Sequence, residues 1–569
     1  MNKTSIIGSI LFVLALSGSI FTQNPLYIPP VLNGPVYHLE MQHGTHTFFP
    51  GLPSNTMGFN GNILGPTLIL NKGTHIDISV LNSIGEETTV HWHGLHVSPE
   101  NDGGPHSIID PNSSYDPSFE VLDKAATYWY HPHLHEHTAK HVSLGLAGMI
   151  IVRDSEEATL NLPRQYGVDD FPIILQTKSI DPVTGQIRYS EGPSQNSNPD
   201  KAPHGDSIIM VNATVHPYLA VPKQVVRLRL LNGANHRVYN LGLSDNSFFY
   251  QIASDGGLLQ SPYSTNRLRL SPGERAEILI DFDAYIVGNT VKLKSYASEL
   301  PDGIWGASEF NLGASSGPYH PNPLNGNDFD FMEFRIINAT GQGVSTIPQS
   351  LVNVTPIPEG QANNTRVKYL TASGSQGPKI GPNPLSVDND LFDINVVNDV
   401  IDYGAIEIWE LHGDPQQSHT FHIHDVQFYI LDRTPSGGSP ALPPINERGR
   451  KDVILIEPGE IVRFIAKFDD FASEEVPYMY HCHFLTHEDR GMMGQFIVKH
   501  EIYVDKNHIG IENGSNTFPY DTFKEAIDAA VDGSTIIFKS GGDHNEIPPD
   551  LLISKPIILR FQNGPITIK

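Results

Sequence analysis

The chain has 569 residues, among them 50 Gly and 44 Pro, and a formal charge of −27 from 36 basic against 63 acidic side chains. That length exceeds one hydrophobic core and suits three or four domains, while the acidic balance excludes the basic footprint of a nucleic-acid or anionic-lipid binder and favours cationic partners, metal ions included. The lone cysteine, Cys482, excludes an internal disulfide, so packed cores must hold the fold.

Residues 1–23 carry Lys3 ahead of an apolar stretch from Ile6 to Ile20, the pattern of a secretory signal, with an N-terminal anchor as the alternative. No later segment approaches the length of a membrane span. The remainder alternates short runs of Val, Ile, Thr and Tyr with turn residues, an all-β composition. Over 24–155, Thr67–Leu70, His75–Leu81, His91–His96, Thr127–His131 and Gly148–Arg153 are expected strands of one Greek-key sandwich. Ser155–Pro163 is expected as a linker.

A second domain over 164–320 begins with Phe171–Gln176 and includes Val225–Leu231, where Val226, Leu228 and Leu230 alternate with Arg227 and Arg229. That period of two predicts a buried aliphatic face and a wet arginine face. Gly-, Pro-, Asn- and Ser-rich passages flank a third set of strands within 328–500, among them Ile406–Leu411, Gln427–Leu431 and Ile461–Ala466. Beyond Glu501 the pattern changes. Phe523, Ala526, Ile527 and Ala530 share a helical face behind Asp521 as N-cap, and Ser534–Phe538, Lys555–Arg560 and Pro565–Ile568 follow as strands. Residues 501–569 thus form a small module without a catalytic constellation. In motif style it resembles the start of a parallel β-helix.

Histidine makes the sequence specific. Four His-X-His elements occur: His91 with His93, His131 with His133, His422 with His424, and His481 with His483. Residues two apart on a strand project to one side, so each element presents two imidazoles together. One such pair is common on a solvated strand. Eight converging imidazoles could hold several ions of copper, zinc, iron or nickel. Cys482 lies between His481 and His483 and points to the opposite face, with His487 five residues on, Met492 ten residues on, and His419 opening the preceding cluster. Two His, one Cys and a weak axial Met are the ligands of a blue-copper electron-transfer site, which implies two centres in series through a few covalent bonds.

The stretches His91-Trp-His-Gly94, Trp129-Tyr-His-Pro-His133, His419-Thr-Phe-His-Ile-His424 and His481-Cys-His-Phe-Leu-Thr-His-Glu-Asp-Arg-Gly-Met492 resemble the multicopper oxidase family, in its usual order. Phe59–Thr67, Leu230–Gly233, Ala253–Leu259 and His487–Met493 are similar to the three-domain bacterial branch of copper-efflux oxidases, bilirubin oxidases and spore-coat laccases. The resemblance implies three cupredoxin-like sandwiches and four copper ions. His419, Cys482, His487 and Met492 would hold type 1 copper, His91 and His422 type 2 copper, and His93, His131, His133, His424, His481 and His483 the type 3 pair. Asp102 and Glu488 align with acids that deliver protons in the family. Thr420 stands where His-Pro is common, a change to the turn and not to the ligand.

On this resemblance the chain is expected to be an exported, periplasmic or secreted, monomeric oxidase that takes single electrons from a small reducing substrate and reduces dioxygen to water. Copper-efflux oxidases carry a methionine-rich insert, whereas only Met332 falls between residues 211 and 478 here. That shifts the expected donor to phenols, aromatic amines or bilirubin-like compounds. Cuprous or ferrous ion is the alternative, and a non-enzymatic copper-binding or scaffold role is another. Copper nitrite reductase needs fewer His-X-His pairs. His135, His137 and His141 are expected to line a channel or face solvent, with an auxiliary copper site as the alternative; His43, His46, His96 and His106 show no partner in the sequence, and Met493 is expected to pack.

Overall fold

In the computed structural model the described residues are 23–189, 206–308, 322–371, 378–383, 392–544 and 553–568. The expected signal lies outside them except for its last residue. The architecture is all-β, as the alternation predicts, and among the described residues no helix is long and apolar enough to cross a membrane.

The first sandwich packs the sheet containing Thr67–Asn71, Gly148–Arg153, Ala126–His131 and His91–His93 against one built on Leu52–Phe59, Val36–Phe49 and His75–Asn82. Tyr37, Leu39, Leu68, Trp92, Tyr128 and Ile150 from the two sheets fill one core. The second combines a sheet centred on Asp170–Ile180, Val225–Asn232 and Arg275–Asp281 with one centred on Pro217–Pro222, Phe329–Ile337 and Thr290–Ser295. The third packs Ala405–His412 and Ile461–Phe468 against the sheet carrying Met493–Lys499, Ser473–Cys482, His419–Ile423 and Val453–Ile456. Phe329–Ile337 is hydrogen-bonded within the second sandwich, so we place the division between the second and third domains after Ile337, which keeps that sheet whole.

Glu501–Val504, Thr535–Phe538 and Ile558–Phe561 form a separate parallel sheet covered by the helix Phe523–Ala529. Thr522, not Asp521, caps that helix, its side chain accepting from Glu525 N. The module docks on the third sandwich: Thr535 Oγ1 donates to Glu474 Oε1 at 2.7 Å, and Arg560 pairs with Glu474 at 3.0 Å. At Gly533, with φ +79°, a Cβ would fall 1.6 Å from Ala472 O, so the docking turn requires glycine.

One expectation is overturned. Arg227 and Arg229 are fully buried instead of wet, and the Ser155–Pro163 passage is packed against them through Glu157 in the short turn Glu157–Thr159. Arg227 donates to Glu277 at 2.8 Å and to Glu157 at 2.7 Å; Arg229 donates to Asp170 at 2.7 Å and to Glu277 at 2.5 Å; Arg153 joins at Asp170 at 2.8 Å. Thr127 of the first sandwich donates to Glu277 at 2.8 Å. The alternation was real, but the polar face covers the first sandwich and not water. Each guanidinium is buried only because carboxylates satisfy its fork. Glu277→Ala should therefore destabilise the protein by about 3–5 kcal/mol, the cost of stranding a buried charge, seen as a lower urea midpoint with the native far-UV circular dichroism intact before the transition.

Candidate metal centres

The eight imidazoles meet between the first and third sandwiches. In the first, Ala126–His131 pairs antiparallel with His91–His93, setting His131 opposite His91. In the third, Ser473–Cys482 pairs with His419–Ile423, setting His481 opposite His422. The two arms meet face on: His133 Nε2 lies 3.0 Å from His481 Nε2, and the His93 and His422 rings stack at 3.8 Å. The eight rings are all buried. Two glycines permit the approach. A Cβ at Gly103, with φ +75°, would fall 1.7 Å from Val90 O, and one at Gly273, with φ +85°, would press the His483 ring at 3.0 Å.

Outer partners turn the rings. His91 Nδ1 bonds Asp102 O at 2.9 Å, His131 Nδ1 bonds Pro132 O at 2.9 Å, and His422 Nδ1 bonds Asp452 O at 2.8 Å. With Nδ1–H donating to a carbonyl, the Nε2 lone pair is left for the interior. Nε2 of His91, His422 and His424 and both ring nitrogens of His483 are buried without a hydrogen-bond partner. Orphaned buried nitrogens are costly unless something accepts their lone pairs, and bound cations would. Donor atoms of His93, His131 and His483 lie within 4.8 Å of one another, as do those of His133, His424 and His481, and those of His91, His422 and His424.

Both expected acids are buried at this cluster. Asp102 Oδ2 accepts from His424 Nδ1 at 2.8 Å, and its Oδ1 lies 3.3 Å from His91 Nδ1. Glu488 sits 3.1 Å from His481 Nδ1 and 3.4 Å from His133 Nδ1. Burial opposes its charge, yet the imidazoles of His133 and His481 hold its carboxyl below the usual carboxylate range. Asp452 is a residue the sequence reading missed. Its Oδ1 lies 3.1 Å from His93 Nε2, and Arg275 forks onto it at 2.6 and 2.5 Å. No spacing motif marks Asp452; only the register that sets Val453 opposite His422 brings it there.

Cys482 faces the other way, as the strand pleat requires. Its Sγ lies 3.6 Å from His419 Nδ1 and 3.7 Å from His487 Nδ1. Met492 is buried in the same core, its backbone N donating to His487 O at 2.9 Å and its O accepting from Cys482 N at 3.0 Å. The short helix Leu485–Glu488 supplies the reversal that returns His487 to the thiol. Burial pushes the thiol up to about 12, and His419 Nε2 is buried without a partner. A soft thiolate, two imidazoles and a thioether fit copper in its electron-transfer form.

The remaining histidines have partners that the sequence did not disclose. His43 bonds Ile84 O at 2.8 Å, His46 bonds Ala213 O at 3.0 Å, and His106 bonds Gln495 at 2.8 Å. His96 pairs with Asp123 at 2.6 Å; burial opposes its charge, but Asp123 and Asp470 raise it to about 9. Met493 is buried, as expected of a packing residue. His135 lies half-buried against Phe392, and His137 and His141 lie apart from the cluster with Glu86.

Two family models described as multicopper oxidase match residues 40–157 and 361–501. The chain is 34% identical over 468 residues to multicopper oxidase mco of Staphylococcus haemolyticus, covering 81% of this chain and 88% of that one. It is 30% identical over 480 residues to cell division protein FtsP of Escherichia coli, covering 84% and 93%. Among solved structures, a laccase-like multicopper oxidase CueO from Ochrobactrum, with oxidase activity towards lignin model compounds, is similar at TM-score 0.70 and 32% identity over 83% of this chain and all of that one. A Pediococcus acidilactici laccase is similar at 0.69 and 32%, over 84% and 94%.

Without metal, several buried imidazoles resist protonation. Burial lowers His133 and His483 to about 3 and His419 to about 4, and burial with like-charged neighbours lowers His93, His131, His422 and His424 well below 6.5. A depressed histidine stays neutral in the fold while the unfolded chain takes up a proton below about pH 6.5, so stability is full above that pH and falls as the pH drops. Asp425 and Asp489, raised by burial, oppose this trend but are outnumbered. Thermal melts of metal-free protein should lose a few kcal/mol, on the order of several degrees, between about pH 7 and 5.5, and copper loading should flatten that slope.

Proposed function

The chain belongs to the multicopper oxidase family, and on that premise we propose that it is a laccase-like enzyme, oxidising phenols, aromatic amines or bilirubin-like compounds one electron at a time. The observation that carries this is the double-faced strand end, with Cys482 beside His419 and His487 on one side and His481 in the imidazole cluster on the other. His419, Cys482, His487 and Met492 would hold type 1 copper, His91 and His422 type 2, and His93, His131 and His483 with His133, His424 and His481 the type 3 pair, four ions in all. Copper in these places would supply one-electron acceptance from the donor and four-electron reduction of dioxygen to water.

The chain's own residues do the rest. His481 and His483 flank Cys482 directly, so thiolate and cluster are joined by a short covalent path as well as by the sheet. Forming two waters from dioxygen also consumes four protons. Glu488, between His133 and His481, and Asp102, between His91 and His424, are the buried acids positioned to hold and pass them. Asp452, fixed by Arg275, orients His93 and His422 without facing the cluster interior.

The laccase-like donor is favoured over cuprous ion because a thioether-lined entry is missing: Met332 is buried in the second sandwich core. Cuprous or ferrous oxidation is the second reading. Relatives include both oxidases and a cell division protein; catalysis is favoured over a scaffold role because the sequence keeps the full expected ligand set and its eight cluster imidazoles converge. Lys3 and the apolar stretch after it support export to the periplasm or medium, and a monomer suffices because the centres lie within one chain.

Cys482→Ser should abolish the intense blue absorption and substrate-driven oxygen uptake of copper-loaded protein; uptake left unchanged would overturn the assignment. Turnover of a phenolic dye should exceed that of cuprous ion, and the reverse order would select the second reading. Glu488→Gln should keep the blue band and lower kcat by about 10–100-fold, measured as steady-state oxygen consumption.

A further inference from the structure

The helix Thr138–Leu144 leaves the imidazole cluster and carries a histidine pair that the oxidase reading does not use. His141 N donates to His137 O at 3.0 Å, the backbone bond of one helical turn, so both side chains stand on one face with ring centroids 5.8 Å apart. The loop residue Glu86 reaches the same spot, and one donor atom from each of Glu86, His137 and His141 lies within 4.8 Å of the other two.

The detail of His141 points to a ligand. The residue is fully buried, its Nδ1 lies 3.2 Å from Thr88 Oγ1, and its Nε2 is buried with no hydrogen-bond partner. Glu86 Oε1 faces that nitrogen at 3.5 Å, beyond the usual hydrogen-bonding distance. Two donors bound tetrahedrally at roughly 2.0–2.2 Å stand about 3.4 Å apart, so the gap is the one a small ion would span. Burial lowers the proton affinity of His141 and keeps the imidazole a lone-pair donor. Glu86 Oε2 is held by Lys140 at 2.6 Å, which leaves Oε1 as a monodentate ligand and, by adding a cation nearby, weakens the site. Glu86 and Lys140 also line an open cavity of about 570 Å³, which gives an ion a way in.

We propose that Glu86, His137 and His141 form a further site for a divalent transition-metal ion of the zinc and copper class, separate from both oxidase centres. Two imidazoles and a carboxylate are the ligand set such ions take, with a fourth position left for water. The ion would clip this helix to the Glu86 loop. The first turn of the helix is already held from another side, because Asp489 accepts from Thr138 N and Ala139 N at 2.9 Å each.

The test uses tag-free full-length protein reconstituted with four equivalents of copper, washed with chelator until metal analysis shows no copper beyond those four, and then titrated with Zn²⁺, a redox-silent probe, in wild type, Glu86→Gln and His137→Gln. These two positions are part-exposed, so the variants should keep the native circular dichroism and the blue band; His141 is left intact. The wild type should bind one extra Zn²⁺ by calorimetry and metal analysis, with a raised Tm, and each variant should bind it at least tenfold more weakly without that rise. No added Zn²⁺ in the wild type, or binding equally tight in the variants, overturns the site. Both outcomes are independent of oxygen uptake, so a failure here is distinguishable from a failure of the oxidase assignment.

Discussion

The pleat of one strand end governs this molecule. Because successive side chains leave a β-strand on opposite faces, the run His481-Cys482-His483 must send its thiol one way and its imidazoles the other. Hydrogen bonds lock that orientation: Cys482 N to Met492 O at 3.0 Å on one edge and His483 N to Thr420 O at 2.6 Å on the other. The threonine found where the family often has proline thus lies within a ladder strand and leaves its carbonyl pairing intact. A register slip of one residue would exchange the two faces and dismantle both centres at once.

A cluster built half on the first sandwich and half on the third exists only while those two bodies keep a fixed separation. The second sandwich supplies that constraint with buried charge. Arg275 donates to Thr127 O of the first sandwich at 3.1 Å and forks onto Asp452 of the third, while Lys451 pairs with Asp255 at 2.8 Å. Burying ions is expensive and contributes little net stability even when they are well paired. Their directional geometry, however, admits one docking arrangement. Nonpolar contact alone would tolerate sliding, and the facing imidazole nitrogens at 3.0 Å would not.

The same economy of position appears around the cluster. Asp489 caps the helix that follows His131 and His133, and its neighbour Glu488 stands between His133 and His481. One short segment after the thiol therefore serves three places: His487 and Met492 beside the thiol, Glu488 at the imidazole cluster and Asp489 at the helix. The C-terminal parallel sheet, by contrast, touches the start of the strand that ends at Cys482.

The sequence alone determined which imidazoles and which thiol could meet, because residue identity and a spacing of two are local properties. It also located several strands: Gly148–Arg153 runs as expected, Thr67–Asn71 and His75–Asn82 differ by one residue, and Gln427–Leu431 is shifted to Tyr429–Thr434. Alternation was legible at Val225–Asn232 as well, yet what covers the arginine face was not. Period two says that two faces differ, and only the docked first sandwich made the polar one an interior. Tertiary structure likewise decided Asp452, brought to His93 across 359 positions of sequence, the buried role of Glu157, and the place of Phe329–Ile337. The choice of Thr522 over Asp521 as cap was a matter of which residue took the extended backbone, at φ −118°. Apart from that local cap, the deciding contact joins segments whose separation along the chain carries no local signal, so register and domain docking, not composition, set it.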